Sequence, residues 1–98
     1  MARTPSSKRQ IVEKWALQVE GRILLLDGFD EALIGVAQQF NKPPLAVYDY
    51  DKIIKILCRE MSHADAVEFF EFNIGGAWFG EGTPLIHRSI RRLGVEVG

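Results

Sequence analysis

The stretch Pro43-Pro44-Leu45-Ala46-Val47-Tyr48-Asp49-Tyr50-Asp51-Lys52-Ile53-Ile54-Lys55-Ile56-Leu57 changes its pattern halfway, and that change decides the fold class. The two prolines block a helix and force extended backbone on the residues next to them. Leu45–Tyr48 then reads as a short strand. Asp49 or Asp51 is suited to cap a helix over Lys52–Met61, because a short carboxylate accepts the first free backbone N–H groups. Ile53, Ile54, Ile56, Leu57 and Cys58 supply its buried stripe, while Lys52, Lys55, Arg59 and Glu60 face water.

Upstream, Ser7 is placed to cap a helix from Lys8 to about Val19, with Ile11, Val12, Trp15 and Val19 as its apolar stripe and Gly21 as its stop. Arg22–Asp27 is short and apolar between two glycines and predicts a buried strand, with Asp27-Gly28 opening a turn. Glu31–Phe40 fits a helical period at Ala32, Leu33, Val36, Ala37 and Phe40. The alternation around Gly35, a residue that costs about 1 kcal/mol in a helix, favours a strand instead.

Downstream, Ser62 through Asp65 matches a Ser-x-x-Asp capping pattern and opens a helix over Ala64–Asn73. Val67, Phe70 and Ile74 form its inner face, and Asn73 with Gly75-Gly76 predicts a left-handed stop. Ala77–Phe79 and Pro84–His87 read as two brief strands or a hairpin. Arg88–Gly98 reads as a basic helical turn with a frayed end. The sum is an α+β domain: a small antiparallel or mixed sheet of three to five strands packed against two or three helices. The expected organisation is one domain over 1–98, with a flexible basic arm at 1–9, a folded core at 10–87 and a basic tail at 88–98.

Composition narrows the classes. One cysteine excludes an intrachain disulfide and any CxxC site. The apolar run Ile23–Leu26 is far short of the ~20 residues of a spanning helix, and no apolar segment follows the basic start as in a signal peptide. The formal net charge of −1 is segregated. Residues 1–22 and 86–98 are net basic, and residues 23–51 and 52–85 net acidic. An acidic middle suits a basic surface on another protein, and nucleic acid only through the basic tails.

Candidate site residues come from this charge pattern and from the aromatics. Asp27, Asp30, Glu31, Asp49 and Asp51 form an acidic cluster that could converge at a sheet edge for acid/base work or magnesium; the more ordinary reading is that Asp27 and Asp30 shape a turn while Asp49 and Asp51 cap a helix. Tyr48, Tyr50 and Trp78 with the Gly75–Gly82 loop could line a pocket for a nucleotide. Trp78 and Phe79 are neighbours, so on a strand one of them turns away from the core, as at a partner or homodimer interface. Glu71 and Glu81 add acidic rim positions. Cys58, mid-stripe, reads as a small core residue. His63 and His87 lack the further ligands that a zinc site needs, and no cofactor is predicted.

The blocks Leu26–Gly35, Pro43–Asp49, Ala66–Asn73 and Gly76–Pro84 resemble a family of small uncharacterised proteins of tailed bacteriophages and prophages. The resemblance spans roughly residues 22–87 and carries no catalytic assignment. It implies a phage accessory protein acting in the host bacterial cytoplasm. With the acidic middle, it predicts a non-enzymatic protein that binds and modulates or inhibits a host protein of the defence or transcription machinery. A nucleotide-sequestering protein and a small metal-dependent hydrolase are the alternatives.

Overall fold

A computed structural model describes residues 7–19, 21–76, 80, 82–91 and 93. The chain runs through α1 (Lys8–Gln18), a 3-10 turn (Asp30–Ala32), β1 (Leu33–Ala37), β2 (Leu45–Asp49), α2 (Tyr50–Leu57), α3 (His63–Phe70), a π turn (Glu71–Gly75) and β3 (Leu85–His87). The expected α+β class is what forms. Among the described residues the sheet has three strands in the order β1-β2-β3. It is mixed: β1 and β2 are antiparallel, β2 and β3 parallel. Opposite partners include Val36 and Ala46 in the first pair, and Asp49 and His87 in the second.

The decisive stretch folds as its pattern dictates. Leu45–Asp49 is the central strand, and the Asp49 carboxylate accepts the Lys52 N–H at 3.1 Å to start α2 at once. Ser7 and Gln10 close a reciprocal capping box on α1, and Ser62 accepts the Asp65 N–H at 3.1 Å on α3. Alternation along β2 puts Ala46 and Tyr48 fully inside. They meet Leu33 from β1, Ile53, Ile54 and Leu57 from α2, and Ala66 and Phe70 from α3 in one core.

Five expectations are corrected. Arg22–Asp27 is not a strand. Leu26 has its N–H held by the Tyr48 hydroxyl and its carbonyl by Arg9, so side chains occupy the groups that a ladder would use. Cys58 is exposed, because α2 ends at Leu57 and the chain is already turning there. In α1 only Val12 and Ala16 are buried, and Ile11 and Val19 of the expected stripe are exposed. The stop after α3 is not left-handed: Gly76 has φ −90°, and the helix unwinds through the π turn. Lys8 and Arg9, expected in the flexible arm, form the first turn of α1 instead.

The expected strand at 77–79 lies outside the described residues. At the other end, Arg88 joins the folded body through Tyr50, and a helical turn around Ile90 comes after it.

Candidate functional site

The acidic candidates are divided among different partners. Arg9 projects from the first turn of α1 and takes two of them. Its Nε donates to Asp30 at 3.0 Å, while its Nη2 donates to Asp27 at 3.0 Å and to the Leu26 carbonyl at 3.1 Å. The Asp30 hydrogen bond raises the Arg9 pKa further, against a smaller opposing effect of desolvation. Arg9 also lies 3.7 Å from Glu13 on its own helix. The turn Asp27-Gly28, with Gly28 at φ +88°, delivers the two aspartates to one guanidinium.

Glu31 is held elsewhere. Its carboxylate accepts from Arg59 at 3.0 Å, and that bond lowers its pKa. Asp49 caps α2 with one oxygen and meets His87 Nδ1 at 2.9 Å with the other. Among the described residues, no three His, Cys, Asp or Glu side chains come together in a way that could hold a metal ion.

The two tyrosines are used internally. Tyr48 is fully buried, and its hydroxyl accepts the Leu26 N–H at 2.8 Å. Burial pushes its pKa up. Tyr50 packs edge-on to Phe70 with ring centroids 4.9 Å apart, and the Arg88 guanidinium stacks over it at 3.8 Å. Trp78, Phe79 and Glu81 lie outside the described residues. Glu71 is exposed at the start of the π turn.

What the sequence reading missed stands beside Glu71. The outer side of α3 and its π turn carries Phe69, 39% exposed, and Phe72, 79% exposed. These two rings line a shallow groove with Met61, Asp65, Glu68 and Asn73. Residues 64–76 hold three acids and no Lys or Arg. The result is an apolar ridge whose groove is lined by two acids and no Lys or Arg. A signal was present in the sequence: Val67, Phe69, Phe70, Phe72 and Ile74 are more apolar residues than one inner stripe of so short a helix can bury.

A larger groove of about 700 Å³ lies at the opposite end of the sheet, where β1 ends and β2 and β3 begin. Gln38, Asn41, Lys42, Pro43, Thr83 and Pro84 are on its walls. No helix among the described residues is long and apolar enough to cross a membrane.

No family model matches this chain, and no curated protein or solved structure shows significant similarity to it.

Proposed function

We propose that this chain is a non-enzymatic binding protein of tailed-phage origin that docks on a host protein through the outer face of α3. The observation that carries this reading is Phe72, 79% exposed beside Phe69, in a groove that Asp65 and Glu68 also line. Exposed aromatic side chains are costly to leave in water, and aromatics are the usual anchors of protein interfaces. A lining of one sign selects the partner: an apolar slot edged by lysine or arginine. The blocks that resemble tailed-phage proteins support action in a bacterial host's cytoplasm.

Affinity capture from host lysate tests the proposal, with the native chain beside Phe72→Ser and the pair Asp65→Lys with Glu68→Lys. All three positions are exposed, so the melting temperature serves as the folding control. The native chain is expected to retain a stoichiometric partner that both variants lose, and raised salt weakens the contact. Identical captures by all three chains would sink the reading.

A second reading, binding of a small ligand such as a nucleotide, draws its support from the groove of about 700 Å³ at the far end of the sheet. It predicts a rise in melting temperature with a nucleotide panel. A ligand at 100 times its Kd adds about 2.7 kcal/mol. No shift at millimolar nucleotide would rule it out.

A further inference from the structure

β1 is an outer strand of the sheet, and β2 alone pairs with it among the described residues. Its five residues, Leu33-Ile34-Gly35-Val36-Ala37, contain no charge and no proline, and their pairing with β2 is irregular between Leu33 and Gly35. A groove of about 370 Å³ runs beside it. Leu33, Ile34 and Gly35 line that groove consecutively. Three consecutive residues reach it because the pairing with β2 is irregular between Leu33 and Gly35, where simple alternation breaks.

The remaining walls are chemically asymmetric. Ile11 on α1 is 56% exposed and Ile34 is 42% exposed, which makes the groove apolar along its length. Lys8 from α1 and Lys52 from α2 stand at its rim. One Lys8 proton goes to the Glu31 carbonyl at 3.0 Å, and the Glu31 carboxylate is paired with Arg59. A Cβ added at Gly35 would meet nothing within 4 Å, so the face of the strand is open at that position.

We infer that the outer edge of β1 and the facing side of α1 form a docking groove for an extended segment of a partner protein, in which apolar and acidic residues alternate. The segment adds as a fourth strand: main-chain hydrogen bonds to β1 hold it, its apolar side chains meet Ile11 and Ile34, and its carboxylates reach Lys8 and Lys52. Charge decides against a second copy of this chain, since pairing β1 with itself would place the same lysine rim on both sides. This groove is separate from the α3 ridge and uses the opposite charge.

The test is a nuclear magnetic resonance titration of the full chain with a capped peptide of about seven alternating valines and aspartates, long enough to span β1. A matched valine–lysine peptide is the control. Amide shifts confined to residues 33–37 and to the first turns of α1, with slowed exchange at β1 amides, are the expected result. Lys52→Glu alone, and with Lys8→Glu, should weaken the acidic peptide by roughly tenfold and turn the preference toward the lysine peptide. Equal binding of both peptides, shifts centred elsewhere, or no shift at millimolar peptide would each overturn the inference. So would a dimer with protected β1 amides in the absence of peptide.

Discussion

The hydroxyl of Tyr48, in the middle of the sheet, accepts the backbone N–H of Leu26 at 2.8 Å. Tyr48 is wholly enclosed by the core, and the segment it holds is irregular. One side chain therefore fastens the apolar stretch Ile23–Leu26 to the central strand without a ladder. From the other side, Arg9 ties the Leu26 carbonyl and the aspartates of the adjoining turn to α1.

Tyr48→Phe keeps the ring and removes the acceptor. It leaves the Leu26 N–H without that partner, and the expected loss is about 1–2 kcal/mol. Urea unfolding checks it, through a lower midpoint at unchanged m. An unchanged midpoint would show that the bond contributes nothing.

Tyr48 also sets an alkaline limit. Burial raises its pKa above the ordinary value of 10.0, so the unfolded chain releases the proton first as pH rises. The stabilisation is complete below pH 10 and is lost as pH climbs through the folded-state value. Thermal melts from neutral pH to above 10 should show a decline that Tyr48→Phe flattens. Equal declines in both chains would place the cause elsewhere.

On the acid side, the Arg59 hydrogen bond lowers the Glu31 pKa below its ordinary 4.5. Its contribution is present above that value and disappears as pH falls through the folded-state one. Carboxyl resonances followed against pH should show Glu31 titrating low in the native chain. In Arg59→Met the midpoint should return toward 4.5. Glu31 is exposed, so the effect should shrink in high salt.

Gly75 lies where the π turn passes the buried Phe70. A Cβ there would stand 2.7 Å from the Phe70 ring. Gly75→Ala must push a core aromatic aside, and the expected cost is about 1–3 kcal/mol. Gly35→Ala, which meets only open space, is the control and should cost less. Both are read from denaturant midpoints.

The Cys58 thiol, outside the core, should react stoichiometrically with Ellman's reagent in native buffer. A thiol that reacts only in denaturant would restore the buried position that the helical stripe implied.

The parts of this fold that sequence made legible are those with local causes. Pro43-Pro44, Asp49, Ser7 and Ser62 act within four residues of themselves, and the strand and three helix starts they mark lie within two residues of where they were expected. What escaped depends on contacts between distant residues. The run Arg22–Asp27 has strand composition, but whether it pairs depends on Tyr48 and Arg9, one far downstream and the other upstream of it. Asp27, Asp30, Glu31 and Asp49 were visible as acids, yet their destinations at Arg9, Arg59 and His87 are tertiary facts. The exposed ring of Phe72 escaped because α3 gives way to a π turn at Glu71, which ends the simple helical period before Phe72.

The parallel pairing of β2 with β3 has a kinetic meaning. β1 meets β2 across the short connection 38–44, whereas β3 can pair only after residues 50–84 have brought the chain back. Closing that larger loop costs more chain entropy, and the return is a strand of three residues. The third strand should therefore be the last part of the sheet to form and the first to open. Amide exchange should be faster at Ile86 than at Val47 in the adjacent strand, and the Asp49–His87 contact should come and go with it.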